Sequence, residues 1–304
     1  MTTSQTTVSL ENVTKRFGEF SAVSDLSLAV RAGRIYGLIG PNGAGKTTTI
    51  RMIVNITAPD SGAIQLFGQE LNAESQDRIG YLPEERGLYR KMRVSDQLLF
   101  FAELKNFKGS NAKEAVNRWL ERMKLVEWKN KKAEALSKGM QQKIQFIAAV
   151  IHDPDLLILD EPFSGLDPVN MELLKEIVLE FKANGKTIIF STHVMELAER
   201  ICDDICLLNR SQKVLEGSLR EVKRSFGGNS VALRVEGGED VLNDKSIVSS
   251  VEKQSDEVEV LLAQGVDPQI VLKRLLESGA RITKFELVEP TLHNIFIAKV
   301  SGGA

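Results

Sequence analysis

Two short stretches of the chain contain residue types whose spacing suits chemistry on phosphates. The first, GPNGAGKT, begins at Gly40 and runs directly into KTTTIRMIVN. Glycines let a backbone curl so that several N–H groups point into one hollow, and the N-terminus of a following helix adds partial positive charge. The sequence therefore predicts a polyphosphate-binding loop. Its expected binding residues are Gly40, Asn42, Gly43, Ala44, Gly45, Lys46, Thr47 and Thr48.

Two side chains of this loop have specific expected roles. Lys46 is long enough to reach β- and γ-phosphates, and the Thr47 hydroxyl can ligate Mg²⁺. These roles predict a nucleoside triphosphate with magnesium as the ligand. A glycine-rich turn between a strand and a helix, with a solvated lysine, is the structural alternative.

The second stretch, LLILDEP, begins at Leu156 and ends at Pro162. Its four apolar residues predict a buried strand that brings Asp160 to its C-terminal end, where ligand sites of parallel sheets form. We expect Asp160 to hold the water shell of Mg²⁺ and Glu161 to deprotonate the attacking water as general base. An Asp-Glu pair after a strand also occurs as a helix cap or a solvated loop, so this interpretation depends on the phosphate loop.

Of the three histidines, His193 has the setting of a site residue, because it follows the predicted strand TIIFS. At that edge of a sheet it can donate to a γ-phosphate and sense its presence. His152 and His293 lack such a setting and are interpreted as structural. Cys202 and Cys206 are either half of a metal site or two core thiols, and the lack of a further Cys or His cluster in the sequence favours core thiols.

Length and composition limit the class of protein. The 304 residues exceed the roughly 100–200 of a typical domain, so we expect two domains. Lys plus Arg (39) nearly equals Asp plus Glu (41), which gives no overall attraction to nucleic acid or anionic lipid. The longest apolar run, 146–151, is far shorter than the ~18 residues that span a bilayer. Since the start, MTTSQTTVSL, also lacks a secretion signal, we expect a cytoplasmic protein with no nucleic-acid partner.

The predicted site requires elements that hold its residues at one edge of a sheet. Short β-branched runs alternate with longer amphipathic stretches through the first two thirds of the chain, which is typical of an α/β fold with a parallel sheet. The predicted buried strands are 34–40, 156–160, 187–191 and 204–208. The predicted helices are 94–104 and 112–123, which form a helical subdomain, and 171–184, which packs on the sheet.

A change in composition at REVKRSFGGNS marks the boundary between two predicted domains. We assign residues 1–219 to a nucleotide-binding domain, 220–228 to a linker and 229–304 to a small α+β domain. The pattern of the last segment predicts a strand, a short helix, two hairpin strands, a helix and a strand. This β-α-β-β-α-β order is typical of a ferredoxin-like unit, and a final helix, PTLHNIFIAKV, follows it.

The order of five motifs resembles the ATP-binding subunit of an ABC transporter over about residues 7–217. The motifs are the phosphate loop, LSKGM at 136–140, ILDEP at 158–162, SGLD at 164–167 and STH at 191–193. The resemblance implies a P-loop NTPase cassette with a helical subdomain. It also implies ATP and Mg²⁺ as cofactors and ATP hydrolysis as the activity, with Glu161, His193 and Lys46 as the catalytic residues.

In that family the motif that LSKGM resembles binds the γ-phosphate of the ATP held by the opposite subunit. The resemblance implies that Ser137 and Gly139, at a helix N-terminus, complete the site of a second copy, so that ATP joins a dimer. Asp167 would reach across the same interface. For an isolated match, an ordinary N-capped helix is the alternative, since serine is a favoured cap.

Several positions depart from the family pattern. Lys138 and Met140 replace a glycine and a glutamine of the usual signature. Glu84 occupies the position of a glutamine that normally faces Mg²⁺ and water, and a carboxylate still ligates a hard cation. Phe17 replaces the tyrosine that usually stacks on adenine, and burial of Phe17 in the core is the rival interpretation.

The tail VEPTLHNIFI resembles the closing segment of an accessory domain found in ABC exporters of the sodium-efflux and antibiotic-resistance type. The resemblance implies a subunit that lies on the inner face of the cell membrane and drives export through a separately encoded permease. That permease would dock near the loop from Glu84 to Met92, with Tyr89 and Met92 exposed to it. A solvated loop that meets no partner is the alternative for this segment. A soluble ABC ATPase of translation or DNA repair and a nucleotide-gated regulator are the alternative functions.

Overall fold

The computed structural model of the protein describes residues 5–85, 87–226, 230–254, 257–263 and 265–301. The chain forms two compact units. Met1–His193 and Ile201–Lys213 form the first unit, and Val194–Arg200 and Val214–Ala304 form the second. This division falls near the boundary predicted from composition, and it also assigns the short segment after His193 to the second unit.

The first unit contains strands of two sheets and the helices that cover them. Its strands are β1 (Thr6–Phe17), β2 (Phe20–Arg31), β3 (Ile35–Ile39), β4 (Ser61–Leu66), β5 (Gln69–Glu70), β6 (Ile79–Leu82), β7 (Leu156–Asp160), β8 (Thr187–Thr192) and β9 (Asp204–Asn209). Its helices are α1 (Lys46–Ile53), α2 (Ala73–Asp77), α3 (Val94–Leu104), α4 (Gly109–Arg122), α5 (Lys138–Val150) and α6 (Pro168–Ala183), with 3₁₀ turns at Val126–Trp128 and Ala133–Ala135.

A parallel sheet with the order β9-β3-β8-β7-β6 forms the centre of this unit. Every residue of β3, β7 and β8 is buried, as expected for strands covered by helices on both faces. The four strands predicted from apolar runs are confirmed to within two residues. Because the strands are parallel, the phosphate loop after β3, Asp160 at the end of β7 and His193 after β8 lie at one edge of the sheet.

The unit also contains a second, antiparallel sheet with the order β2-β1-β4-β5, which the sequence did not predict. The pairing of β1 with β2 is irregular, with register shifts between Leu10 and Val13 and again up to Arg16. Each shift breaks the alternation of apolar and polar residues by which a half-buried strand is identified in a sequence. The buried side chains of this sheet join the same core as α1 and β3.

The predicted helical subdomain is confirmed. α3 has the predicted bounds, and α4 begins three residues earlier than predicted. Trp119 of α4 stacks on Phe181 of α6 and meets Phe146 of α5 edge to face. Lys143 of α5 also donates to the main-chain carbonyl of Met123 at 2.8 Å. These contacts fix the position of α5.

Two elements contain residues of both units, namely α7 (Met195–Ile201) and β10 (Gln212–Ser218). The remaining elements are α8 (Leu219–Phe226), β11 (Ser230–Glu236), α9 (Glu239–Asn243), β12 (Val248–Gln254), β13 (Glu257–Leu262), α10 (Pro268–Glu277), β14 (Arg281–Val288) and α11 (Leu292–Ser301). Helix α8 covers most of the predicted linker 220–228, and residues 227 and 228 lie outside the described residues.

The second unit has the predicted β-α-β-β-α-β order. Its sheet order is β12-β13-β11-β14 with every neighbouring pair antiparallel, which is the arrangement of a ferredoxin-like fold. Apolar residues of the sheet and of α9 and α10 form a core of its own, around Val231, Val260 and Leu275. The expectation of a small α+β unit is therefore confirmed.

Two further expectations concern single features. Cys202 and Cys206 are buried and do not form a disulfide bond, and burial raises the pKa of the Cys202 thiol above its usual range. In the part of the chain that the structure describes, none of the helices has both the length and the apolar character needed to cross a bilayer.

Candidate nucleotide site

The phosphate loop is held by two glycines that the surrounding chain requires. Gly40 and Gly45 both have positive φ, of 152° and 104°. A Cβ on Gly40 would lie 2.2 Å from the carbonyl oxygen of Leu208, and one on Gly45 would lie 2.5 Å from that of Ala22. Larger residues would therefore displace the loop from β9 and β2.

Lys46, the first residue of α1, folds back over this loop. Its Nζ donates to the carbonyls of Gly40 at 2.8 Å and Pro41 at 3.2 Å, and it lies 3.8 Å from Oε1 of Glu161. Burial lowers the pKa of Lys46, while the carboxylates of Glu161, Asp160 and Glu84 act in the opposite direction. The lysine thus faces the loop on one side and carboxylates on the other.

Asp160 lies fully buried at the end of β7. Its Oδ1 accepts a hydrogen bond from Ser191 of β8, and its Oδ2 accepts none of normal geometry from the described residues. Burial raises the pKa of Asp160, and the hydroxyls of Ser191 and Thr47 partly oppose that rise. A buried carboxylate oxygen without a partner, close to a threonine hydroxyl, is a donor set that suits a hard divalent cation.

Glu161 is held in a specific conformation beside Asp160. Its φ is +49°, a left-handed value that is uncommon outside glycine and recurs at functional sites. Its main-chain N–H donates to Oγ of Ser191 at 3.1 Å, and its Oε1 lies 2.8 Å from Nδ1 of His193. Ser191 therefore bonds the carboxylate of Asp160 and the main chain of Glu161, and His193 fixes the side chain of Glu161.

A hollow of about 250 Å³ lies over the phosphate loop. Of the residues predicted to bind or catalyse, those lining it are Asn42, Gly43, Gly45, Lys46, Thr47, Thr48, Glu84 and Glu161. Gly40 and Ala44 are buried within the loop and are not among the residues that line the hollow. The other lining residues are Ala22 and Phe20, whose side chain is 60% exposed. Phe17 is 54% exposed, so the rival interpretation that it is buried in the core is wrong.

Three of the predicted residues lie elsewhere in the unit. Ser137 is the exposed N-cap of α5, and its Oγ accepts a hydrogen bond from the N–H of Met140 at 3.3 Å. Gly139 follows within the first turn, and a Cβ there would make only ordinary contact, 3.7 Å from Leu166. Asp167 is the exposed N-cap of α6, where hydrogen bonds from Asn170 lower the pKa of its carboxyl.

A second, apolar hollow of about 350 Å³ lies between α3, α5 and the chain after β6. Leu88, Phe101 and Leu104 are among its lining residues. The exposed Tyr89 stacks on Phe101 with ring centroids 6.2 Å apart. The buried Gln97 accepts from the N–H of Tyr89 at 2.7 Å, which holds the loop in place. Exposure of Tyr89 is as predicted, whereas Met92 is half-buried.

Sequence reasoning did not identify Ser191 or Phe20. The available signal for Ser191 was a polar residue at the end of an otherwise apolar strand, TIIFS. Phe20 lies three residues after Phe17 and pairs with it across the hairpin between β1 and β2. Which of the two faces the nucleotide depends on the geometry of that hairpin, which a local pattern does not show.

A glycine-rich loop between a strand and a helix, with a buried Asp-Glu pair two strands away in the same parallel sheet, defines a P-loop nucleotide hydrolase. Comparisons with known proteins narrow this class. The family model for the ABC transporter domain matches residues 23–164, and that for the DrrA1-3-like ATP-binding protein C-terminal domain matches residues 217–300.

Relatives resemble the chain over nearly its full length. The ABC transporter ATP-binding protein YhaQ of Bacillus subtilis (strain 168) is 46% identical over 96% of this chain and 98% of its own. The Nod factor export ATP-binding protein I of Rhizobium sp. (strain N33) is 34% identical over 97% of both chains. A solved ATP-binding subunit of an ABC transporter superposes with a TM-score of 0.68 at 30% identity, over 72% of this chain and 93% of that chain. The chain belongs to the family of ABC transporter ATP-binding subunits, which hydrolyse ATP.

Proposed function

We propose that this chain powers export through a separately encoded membrane permease, and that two copies clamp ATP between them. The observation that carries the proposal is the N-terminus of α5. Ser137 is exposed there, and Gly139 has room for a side chain within its own chain. A glycine that local packing does not require suits the close approach of a ligand from outside the chain. The γ-phosphate held by the phosphate loop of a second copy is such a ligand.

Within each site, the described residues suit in-line attack by water. Glu161 takes the proton from the attacking water, and its contact with His193 keeps the carboxylate in one orientation. As the imidazolium, which has two N–H donors, His193 donates from Nδ1 to Glu161 and from its other ring nitrogen to the γ-phosphate, which lets it sense the third phosphate. Lys46 exchanges the carbonyls of Gly40 and Pro41 for phosphate oxygens when the nucleotide binds.

The residues around Asp160 fit a magnesium ion. Thr47, Glu84 and the solvent held by Asp160 would supply oxygen ligands, which are the ligands that Mg²⁺ prefers. When bound, the ion neutralises charge on the β- and γ-phosphates. The solvent held around the ion would also give a hydrogen-bond partner to Oδ2 of Asp160, which lacks one among the described residues.

An aromatic side chain of the β1–β2 hairpin stacks on adenine. Phe17 and Phe20 are both more than half exposed, and Phe20 lines the nucleotide hollow. Stacking requires only an aromatic face, so a phenylalanine replaces a tyrosine without loss of the contact. We assign the stacking role to either phenylalanine, and separate Ala substitutions distinguish them by their effect on ATP binding.

The permease docks at the apolar hollow between α3 and α5. Its residues Leu88, Phe101 and Leu104, with the exposed ring of Tyr89 beside them, suit the apolar face of a short helix from a membrane protein. Docking there places the chain on the cytoplasmic face of the membrane. Export as the direction is supported by the name of the Nod factor export relatives and by the resemblance of the tail VEPTLHNIFI to the accessory domain of ABC exporters.

The variant Glu161→Gln tests the clamp and the base together. We expect ATP turnover to fall about 10²–10⁴-fold, because the amide cannot accept the proton of water. With hydrolysis blocked, ATP and Mg²⁺ should hold the variant as a dimer, which light scattering measures. Unchanged turnover would rule out Glu161 as the base. A strictly monomeric variant at saturating ATP would rule out the clamp.

A further inference from the structure

Helix α5 carries two buried glutamines whose side chains bind main-chain carbonyls. These carbonyls lie in the loops after β6 and β7, which carry Glu84 and Glu161 of the nucleotide site of the same chain. Nε2 of Gln142 donates to the carbonyl of Pro162 at 3.1 Å, and Pro162 directly follows Glu161. Nε2 of Gln145 donates to the carbonyl of Glu85 at 3.2 Å, and Glu85 directly follows Glu84. Since a carbonyl only accepts, each amide must present its NH₂ group.

These bonds are buried, which makes them expensive to lose. Gln142 is 4% exposed and Gln145 is 6% exposed. A carbonyl left unpaired in such a place costs about 1–3 kcal/mol. The carbonyl that Gln142 binds is that of Pro162, the residue directly after the left-handed Glu161. The bond from α5 therefore constrains the chain one residue beyond Glu161.

The same helix begins at Ser137 and Gly139, five and three residues before Gln142. At 1.5 Å per residue, Gln142 and Gln145 lie about 7.5 and 12 Å along the axis from Ser137. A helix moves as a body over such distances. A shift of its N-terminus is thus passed to the carbonyls of Pro162 and Glu85.

We propose that Gln142 and Gln145 are positioning residues that couple the two nucleotide sites of a dimer. Contact of Ser137 with the partner's nucleotide sets the position of α5. Through the bonds of Gln142 and Gln145, the position of α5 then determines where the loops of Glu161 and Glu84 lie in the same chain. This inference rests on the proposed clamp. Hydrolysis at one site then depends on nucleotide at the other through a link inside one chain.

The test uses dimers of two different copies. A small amount of protein with Glu161 intact, called the live copy, is mixed with a saturating excess of the Glu161→Gln variant, called the base-deficient copy, in the presence of ATP and Mg²⁺. Under these conditions each live copy has a base-deficient partner. Gln142→Met is then introduced into either the live or the base-deficient copy. Light scattering of the Glu161→Gln copies is done first. If they do not dimerise with ATP, the proposed clamp and this inference both fall.

The position of Gln142→Met decides the outcome once dimers form. In the live copy it should lower turnover about tenfold, because Glu161 loses its support. In the base-deficient copy, Gln142→Met should change turnover less than twofold. That copy contributes only the N-terminus of its α5, with Ser137, to the site where the live copy hydrolyses ATP. Equal losses in both placements would mean that Gln142 merely supports α5. No loss in either would also overturn the proposal.

A neighbouring glutamine provides the matched control. Gln141 donates to the carbonyl of Leu136 at 3.1 Å, within the turn that precedes α5, and it is half-buried. Gln141→Met should leave turnover of the live copy unchanged. Gln145→Met in the live copy should raise the Mg²⁺ concentration needed for half-maximal turnover, because Gln145 holds the loop of Glu84. An unchanged Mg²⁺ requirement would remove Gln145 from the link.

Discussion

Two helix N-termini in the first unit present glycines and backbone N–H groups, but their surroundings differ. At the phosphate loop, Gly40 and Gly45 have positive φ and face carbonyl oxygens that leave no space for a Cβ. At the start of α5, Gly139 has ordinary space around it and Ser137 is exposed. Packing within the chain therefore explains the residues of the first region. In the second region Ser137 caps α5, but packing does not require a glycine at Gly139, which points to a contact made outside the chain.

The difference suggests a rule that can be tested. Residues determined by packing within the chain should affect mainly the free energy of unfolding when they are replaced. Residues that serve a second copy should affect mainly turnover and dimerisation. The two tryptophans, Trp119 and Trp128, both lie in the first unit, so their fluorescence reports its unfolding.

The largest effect on stability is expected for Gly40→Ala. The added Cβ would lie 2.2 Å from a backbone oxygen, so the loop and β9 must separate. We expect a loss of about 3–6 kcal/mol in the free energy of unfolding, from strain and overpacking together. Urea unfolding followed by tryptophan fluorescence measures it.

Gly43→Ala is the matched control for this substitution. Gly43 also has positive φ, but no described atom lies within 4 Å of its added Cβ. Only the left-handed conformation then costs stability, by about 1–2 kcal/mol. Similar losses for the two variants would show that packing around Gly40 is not what requires a glycine there.

The next effect concerns His152, beyond the C-terminal end of α5. Its Nε2 lies 3.2 Å from the carbonyl of Ile79. Burial, assisted by the nearby ammonium of Lys105, lowers the pKa of His152 to about 4, against 6.5 for an unperturbed imidazole. Between these values the unfolded chain binds a proton that the folded chain does not, so stability falls as pH is lowered through this window.

The loss from His152 should reach about 2.5 kcal/mol between pH 7 and pH 4.5. His152→Gln keeps a donor for Ile79 but cannot titrate, so its stability should fall by that much less over the same range. Urea unfolding at the two pH values gives the difference, and His293→Gln controls for the loss of a histidine. Equal pH dependence in His152→Gln and the unaltered protein would contradict the assignment.

For Gly139→Ala, stability and turnover should move in opposite directions. Gly139 lies in the first turn of α5, where alanine favours the helix, so Gly139→Ala should keep or raise stability by up to about 1 kcal/mol. Its methyl group would meet the partner's nucleotide, and turnover should fall about tenfold. ATP binding to the monomer should not change. Full turnover would show that Gly139 does not approach a ligand.

Much of the fold follows from sequence because its signals are local. Strands buried on both faces appear as unbroken apolar runs. The helix predicted over 171–184 is α6, which begins three residues earlier than predicted, at Pro168 after its cap Asp167. The antiparallel sheet of β1 and β2 was not predicted, because register shifts interrupt its alternation. Its residues pair across the chain, and a local pattern does not show such pairing.

The site follows the same division. The phosphate loop and the Asp160–Glu161 pair are contiguous, so both could be predicted and the sheet places them at one edge. The support by Ser191 and the bonds of Gln142 and Gln145 join residues 20 to 60 positions apart. A glutamine inside a helix gives no indication of which carbonyl it will meet. Such links become visible only when the packing of α5 against the sheet is known.

The smallest expected effect is at Glu84, which lines the chain's own site yet is exposed. Its exposure predicts that Glu84→Gln leaves stability unchanged, within about 0.5 kcal/mol. Because a carboxylate binds a hard cation more strongly than an amide does, half-maximal turnover should require about three- to fivefold more Mg²⁺. Glu85→Gln is the control, since that exposed side chain lies outside the residues lining the hollow and 3.7 Å from Arg51. A shift common to both variants would reflect local charge alone. A shift in the Mg²⁺ requirement that is confined to Glu84→Gln would show that Glu84 acts in the nucleotide site although the fold does not require it. A residue can therefore belong to the site without being determined by packing within the chain.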